Sequence, residues 1–163
     1  MVHARLGIAA ENSGKLVSMV RQQAKELAEK EEKDLVIVDG PPGIGCPVIA
    51  SIGGVTLVLI VTEPTLSGLH DLKRILEVAK HFNVPAMVCI NKYDINEDNT
   101  HEIEQYCLSQ DIAIAAKIPF DNVVTESLLH GMPVVKYSGG KVSQKIGKLW
   151  KTLDEALKEK VEG

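Results

Sequence analysis

The sequence predicts an α/β protein built on a mostly parallel, three-layer sheet with helices on both faces. Short apolar runs at 35–38, 55–62, 85–90 and 112–118 are mostly rich in Val and Ile, as strands buried on both faces are. Segments with helical spacing separate these runs, which implies β-α-β units with right-handed crossovers. Polar residues collect where the runs end. Because no linker or repeat interrupts this pattern, residues 1–163 are expected to form one domain.

Composition narrows the class of protein further. The 163 residues are 45% apolar and carry a net charge of −4, which does not favour a nucleic-acid partner. No apolar run is long enough for an integral membrane segment. Cys46, Cys89 and Cys107 are widely spaced without a C-x-x-C pair, so we expect neither disulfides nor an iron–sulfur cluster within this chain. A reducing cytoplasm is the expected location. Cys46 is interpreted as a buried thiol, with a cluster or redox role across a dimer as the alternative.

The first third of the chain predicts a short strand at 2–9 and a helix at 13–33. The Gly14-Lys15 pair invites a Walker A interpretation. That motif needs a glycine five residues before Gly14 and a hydroxyl after the lysine, where this sequence has Leu16. The interpretation is therefore rejected.

Helical spacing and turn residues predict the remaining elements. The stretch 96–100 is predicted to be a loop and 132–137 to be extended. The further helices are predicted at 47–52, 67–82, 101–108, 122–130 and 141–160.

The stretch from Asp34 to Pro47 is the one around which the chain is organised. A buried strand at 35–38 ends on Asp39, at the carboxyl end of a parallel strand where open α/β sheets bind ligands. A Gly- and Pro-rich loop follows, and glycine lets backbone N–H groups approach a phosphate. This arrangement predicts a site for a metal ion and a phosphate. The plainer alternative is a strand that closes with an Asx turn.

Polar residues also follow the other predicted strands, at Thr62-Glu63, 91–94 and 119–121. The carboxyl ends of parallel strands share one edge of a sheet, so these residues predict a binding site there. The segment 91–94 reads Asn-Lys-Tyr-Asp, in which Asn can bond a purine edge, a Lys stem can cover a base and Asp can accept two guanine hydrogen bonds. A solvated turn is the alternative.

Three longer motifs carry a specific resemblance. They are Asp39-Gly-Pro-Pro-Gly-Ile-Gly-Cys-Pro47, Thr62-Glu-Pro-Thr-Leu-Ser-Gly-Leu-His-Asp-Leu72 and Cys89-Ile-Asn-Lys-Tyr-Asp94. Over essentially its whole length the chain resembles the MinD/ParA-type P-loop ATPases. Within that superfamily it is most similar to the MinD-like ATPases that carry an inserted ferredoxin domain. The resemblance implies a P-loop NTPase-like fold.

The resemblance also implies roles for matching residues. Asp39 resembles the Walker B aspartate that holds Mg²⁺ through water, and Pro41 to Gly43 resemble switch II, which senses the γ-phosphate. The expected nucleotide-binding residues are Asp39, Pro41, Gly43, Asn91, Lys92, Asp94, Pro119, Phe120 and Asp121. The expected ligands are ATP or ADP with Mg²⁺, although the N-K-x-D pattern leaves the base open.

The sequence departs from that family at its beginning. It shows no counterpart of the first strand, of the Walker A loop with two lysines, or of the ferredoxin cysteines. Phosphoryl transfer depends on such positive charge, so we expect no catalytic residue in the isolated chain and little or no hydrolysis. The expected partners are a second copy, the missing N-terminal portion or an iron–sulfur protein.

Two other functions stay open at this point. The chain could be a catalytically silent module for dimerisation or docking. It could also be a phospho-accepting, receiver-like domain in which Asp39 is phosphorylated and Lys92 pairs with the phosphate. Against the receiver-like alternative, proteins of that class bind Mg²⁺ with an acidic pair after their first strand, and this sequence has only Glu11 near that position.

Overall fold

The structure is a computed structural model, and it describes residues 1–3 and 13–162. The strand predicted at 2–9 lies mostly outside these residues. The described helices are α1 (Ser13–Lys30), α2 (Cys46–Ile52), α3 (Leu66–His81), α4 (Glu97–Ser109), α5 (Asn122–Leu129), α6 (Val134–Tyr137) and α7 (Lys141–Glu162). The described strands are β1 (Val58–Thr62), β2 (Ala86–Asn91) and β3 (Ala113–Ile118).

The three strands form one parallel sheet in the order β1-β2-β3. Thr62 lies opposite Ile90, and Asn91 lies opposite Ile118, so the three carboxyl ends meet at one edge. A register shift after Val88 leaves one extra residue in β3. The predicted parallel α/β fold with flanking helices is confirmed.

The core lies between the sheet and helices α3 and α4. Val88 and Ile90 of β2 are fully buried there, together with Leu72 of α3 and Ile103 of α4. On α7, Val142 and Leu149 are buried, and this helix packs against β3. The apolar spacing of these helices produces this arrangement, because one stripe of each faces the sheet.

The predicted strand at 35–38 is wrong. Residues 34–44 make no backbone hydrogen bond with the described part of the chain, and no strand forms there. Leu35, Val36, Ile37 and Val38 are 42%, 40%, 74% and 36% exposed. A cleft of about 1320 Å³ separates this segment from β1. A strand exists only where a neighbour satisfies its backbone groups, and the described residues supply none here.

Two smaller predictions also fail. Residues 97–100 belong to α4 rather than to a loop, because the Asn96 side chain accepts a hydrogen bond from Asn99 N at 2.9 Å and caps the helix. Residues 134–137 form the short helix α6 rather than an extended segment, and Ser143 Oγ donates to its Val134 carbonyl oxygen at 3.0 Å.

No helix in the described ranges combines the length and the apolar composition that crossing a membrane requires.

Candidate functional site

Three loops meet at the carboxyl edge of the sheet. They are the segments that follow β1, β2 and β3, at 63–65, 92–96 and 119–121. The parallel register brings them together, as the sequence predicted. Hydrogen bonds and one ion pair then fix each loop to its neighbour.

Lys92 joins the loop after β2 to the end of β1. Its backbone is left-handed, with φ of 53°, and its Nζ lies 2.7 Å from Glu63 Oε1. Both side chains are about 40% exposed, so the pair is worth at most ~1 kcal/mol. Asn91, the last residue of β2, is half-buried beside it. Because Lys92 is already paired with Glu63, the receiver-like alternative gains no support.

Asp94 joins the loop after β2 to the loop after β3. Its Oδ1 accepts a hydrogen bond from Phe120 N at 2.7 Å. Pro119 is buried, whereas the Phe120 ring is half-exposed at the edge. A charge-assisted bond between segments far apart in sequence holds the 119–121 loop in place.

Asp121 was expected among the nucleotide-binding residues, and it also has a structural role. Its side chain accepts a hydrogen bond from Val123 N at 3.0 Å and caps α5. A capping carboxylate also suits the positive end of the helix dipole.

Gly68 allows the start of α3 to lie in close contact with the end of β1. A Cβ at this position would collide with the Glu63 carbonyl oxygen, and it would lie 3.0 Å from Thr62 Oγ1. Gly68 N donates to Thr65 Oγ1 at 2.9 Å, which caps the helix. This close approach fixes the backbone from which Glu63 reaches Lys92.

Asp39, Pro41 and Gly43 lie across the cleft from this edge. Asp39 and Glu63 line the same cleft, but Asp39 is exposed and its carboxylate has no hydrogen bond or ion pair within the described residues. Gly43 is exposed and has φ of +87°, and nothing lies within 4 Å of the place a Cβ would occupy, so its backbone is accessible. The structure does not bring Asp39 into contact with Asn91 or Asp94.

The donor set near Asp39 suits a hydrated magnesium ion better than a tightly held metal. No group of three or more His, Cys, Asp or Glu side chains at ligand spacing occurs in the parts of the chain that are described. Mg²⁺ keeps several waters and usually takes one or two carboxylates together with phosphate oxygens. One free carboxylate such as Asp39 fits that requirement.

Two residues that join the loops at the edge were not among the expected nucleotide-binding residues. Glu63 pairs with Lys92. Its position directly after a predicted strand is the sequence feature that could have indicated this role. Asn99 Nδ2 donates to the Pro64 carbonyl oxygen at 3.0 Å and ties α4 to the loop after β1. The sequence did not indicate this role for Asn99, because residues 96–100 were predicted to form a loop.

The cysteines occupy different environments. Cys46 is exposed at the start of α2, so its interpretation as a buried thiol is wrong. Burial raises the pKa of the Cys89 thiol to about 11 and also raises the pKa of Cys107. The two buried thiols therefore stay protonated near neutral pH.

Comparison with known proteins supports the fold. No protein-family model matches the chain. It is similar to an uncharacterized protein of Methanocaldococcus jannaschii, with 32% identity over 96% of this chain and 51% of that protein. It is also similar to the septum site-determining protein MinD of Bacillus subtilis, with 27% identity over 77% of this chain and 49% of that protein. The chain thus spans about half the length of these curated relatives.

Two solved structures agree with these relatives. The septum site-determining protein MinD of Pyrococcus horikoshii, complexed with Mg-ADP, has 24% identity and a TM-score of 0.68. It matches 91% of this chain and 58% of its own length. The MinD cell division protein of Aquifex aeolicus has 18% identity and a TM-score of 0.70, over 92% of this chain and 63% of its own.

A parallel sheet with helices on both faces and a polar carboxyl edge defines an open α/β fold, and the likeness to the two MinD structures makes it a fold of the P-loop NTPase type. More narrowly, the chain has the fold of the MinD/ParA-type P-loop ATPase superfamily and is related in sequence to one of its members.

Proposed function

We propose that the chain is a nucleotide-binding part of a MinD-like ATPase. The observation that carries the proposal is the hydrogen bond from Phe120 N to Asp94, which holds two loops together at the carboxyl edge of the sheet. A structural neighbour with the same fold is a complex with Mg-ADP. In this arrangement Asn91 bonds the purine, while Pro119 and Phe120 flank it.

The same hydrogen bond favours adenine over guanine. Guanine recognition by an Asp uses both carboxylate oxygens as acceptors, and an oxygen that already accepts a backbone N–H is less available to the base. Here Asp94 Oδ1 is held by Phe120 N, so Asp94 acts as a positioning residue for the loop. We therefore propose ATP and ADP as the ligands.

Asp39 and the loop from Pro41 to Gly43 supply the other half of the proposed site. Asp39 would hold Mg²⁺ through water, and the accessible backbone of Gly43 would face the terminal phosphate. Bound Mg²⁺ would neutralise phosphate charge. The lysine among the described residues that line this cleft, Lys25, lies 3.9 Å from Glu29, and the sequence shows no counterpart of the two Walker A lysines. We therefore propose that hydrolysis by this chain alone is slow or absent.

The proposal extends to partners through the family resemblance. MinD-like proteins commonly dimerise face to face over nucleotide, which would place Pro41 to Gly43 near a second copy. The same resemblance supports a cytoplasmic function in association with an iron–sulfur or electron-transfer protein. A docking module without nucleotide binding is the second candidate, and the large cleft beside β1 favours it.

Titration calorimetry with Mg-ADP and Mg-GDP tests the proposal. We expect measurable Mg-ADP binding that exceeds Mg-GDP binding at least tenfold. Asp94→Asn keeps an acceptor oxygen for Phe120 N and should retain most Mg-ADP binding, whereas Asp94→Ala should lose it at least tenfold. Glu102→Ala, a change of an exposed carboxylate on α4, is the control and should alter nothing.

Absence of any Mg-ADP binding by the chain would refute the nucleotide proposal and favour the docking module. Equal loss of Mg-GDP binding in Asp94→Asn and Asp94→Ala, with Mg-GDP bound more tightly than Mg-ADP, would show that Asp94 reads guanine directly. Phosphate release measured on the same samples tests the hydrolysis proposal, and turnover at rates usual for ATPases would contradict it.

A further inference from the structure

A groove lies along the edge of β3 that faces away from β2. Within the described residues Ala113–Ile118 pairs only with β2, so its outward backbone groups have no strand beside them. The groove has a volume of about 510 Å³, with β3 as its floor and with α4 and α7 as its walls. It lies at the opposite end of the sheet from the cleft beside β1. A free strand edge is a template for a further strand.

The floor and the α4 wall of the groove are mainly apolar. Leu108 of α4 is 75% exposed, and it lines the groove together with Ile112 and Ile114. Glu104 also lies on this wall, but its Oε1 is 2.6 Å from Lys117 Nζ. Because these two charges offset each other, this part of the groove presents apolar surface with little net charge.

The α7 wall carries positive charge. Lys145 lines the groove, and Lys141 and Lys148 lie on the same face of the helix, because residues three or four positions apart are neighbours there. None of the three forms an ion pair with another described residue. Residues 127–153 contain five lysines and no Asp or Glu, although the whole chain has a net charge of −4. Positive charge is therefore concentrated beside this edge of the sheet.

We propose that this groove, which we name the β3 groove, binds an extended segment of a partner protein in which apolar and acidic residues alternate. The backbone of the segment pairs with the free edge of β3 by strand addition. Successive side chains of a strand point to opposite sides, so the apolar ones contact Leu108 and the acidic ones face Lys145. The paired length is about six residues, to match Ala113–Ile118.

The position of the lysines distinguishes this groove from an edge that is only protected against aggregation. Proteins protect an edge by placing lysine on the edge strand itself. On β3 that residue is Lys117, whose charge is taken up by Glu104, whereas Lys145 belongs to a neighbouring helix. A nucleic acid would also be attracted by the lysines, but it has no use for the exposed Leu108 or for a free strand edge. The groove is separate from the candidate nucleotide site, so the two proposals can fail independently.

Fluorescence anisotropy with a labelled peptide tests the proposal on the full chain without nucleotide. The probe is a synthetic peptide of alternating Val and Glu residues that is as long as β3. It should bind at least tenfold more tightly than a peptide of alternating Val and Lys. It should also bind at least tenfold more tightly than a Val–Glu peptide with methylated backbone nitrogens, which keeps the charges but cannot donate to a strand. In the complex, hydrogen exchange should slow at least tenfold at the fast-exchanging amides of 113–118 and stay unchanged in α1.

Two matched pairs of variants check the location. Lys145→Glu reverses the charge of the α7 wall and should weaken binding of the Val–Glu peptide at least tenfold. Lys151→Glu makes the same change at an exposed position on another face of α7 and should leave the affinity within twofold. Leu108→Ser should weaken binding at least threefold, whereas Leu129→Ser, at an 82% exposed position of α5, should not.

Four results would overturn the proposal. The first is no binding of the Val–Glu peptide up to millimolar concentration. The second is equal binding of the methylated peptide, which would mean that charge alone attracts it. The third is slow exchange throughout 113–118 in the isolated monomer, which would mean that the chain covers this edge itself, for example with the strand predicted at 2–9. The fourth is the same protection in a particle of two copies, which would make a second copy the occupant.

Discussion

Replacing Gly68 by alanine should destabilise the chain although alanine favours helices. A Cβ at Gly68 would collide with the Glu63 carbonyl oxygen and would lie 3.0 Å from the hydroxyl oxygens of Thr62 and Thr65. The oxygen belongs to the backbone at the end of β1, so it cannot rotate away. Overpacking of this kind costs ~1–3 kcal/mol, and alanine returns ~0.5–1 kcal/mol in a helix. We expect a net loss of about 1–2 kcal/mol.

Gly147→Ala provides a control with the opposite sign. Gly147 lies within α7, and nothing approaches within 4 Å of the place a Cβ would occupy. The same substitution should therefore raise the free energy of unfolding by ~0.5–1 kcal/mol. Urea unfolding followed by circular dichroism measures both values, with the slope of the transition checked for two-state behaviour.

The Gly68→Ala substitution should also affect the candidate nucleotide site. Because Glu63 carries the carboxylate that pairs with Lys92, a shift of its backbone should weaken Mg-ADP binding as well as stability. A Gly68→Ala protein that is as stable as Gly147→Ala would refute the steric argument. It would mean that α3 starts farther from β1 than the structure shows.

Two further predictions concern the Cys89 thiol and the Arg21 side chain. Burial raises the pKa of the Cys89 thiol from 9.0 to about 11, so the unfolded chain loses this proton at lower pH than the folded chain does. The free energy of unfolding should therefore fall by ~1.4 kcal/mol per pH unit between these two pKa values. Urea titrations should show a less steep fall for Cys89→Ala. Arg21 Nη1 donates to the Ala50 and Gly53 carbonyl oxygens at 2.7 and 2.6 Å, so Arg21→Ala should cost ~1.5–3 kcal/mol, whereas the exposed Arg74→Ala should cost under ~0.5 kcal/mol.

Local patterns were enough to predict most of the secondary structure. The runs that became β1, β2 and β3 are continuous, apolar and bounded by turn residues, and the long helices have an apolar stripe. The short helix 134–137 was missed because four residues give too little periodicity. The start of α4 was missed because polar residues in 96–100 hid a capping Asn96.

The sequence predicted which residues reach the carboxyl edge but not how they are joined there. Strand ends in a parallel sheet share an edge, so the convergence of 62–63, 91–94 and 119–121 followed from topology. The bond between Asp94 and Phe120 spans 26 residues, and no local pattern encodes it. The same holds for Lys92 and Glu63.

The error at 35–38 has a different origin. Its apolar run is a correct sign of a segment that needs burial, but burial depends on neighbours that a local pattern cannot contain. Full burial of an apolar side chain is worth ~1.5–3 kcal/mol. Four such side chains that are 36–74% exposed leave ~3–6 kcal/mol of stabilisation unrealised, which approaches the whole stability of many domains.

This unrealised burial also bears on the proposed nucleotide site. Asp39 and Gly43 follow directly after 35–38, so whatever pairs with that segment also fixes the proposed magnesium and phosphate half of the site. Ordering of 35–38 should therefore tighten Mg-ADP binding. By reciprocity, Mg-ADP should slow amide hydrogen exchange at 35–39, because the coupling free energy between two sites acts equally on both. Unchanged exchange at 35–39 on addition of Mg-ADP would show that Asp39 needs no ordered segment to hold it.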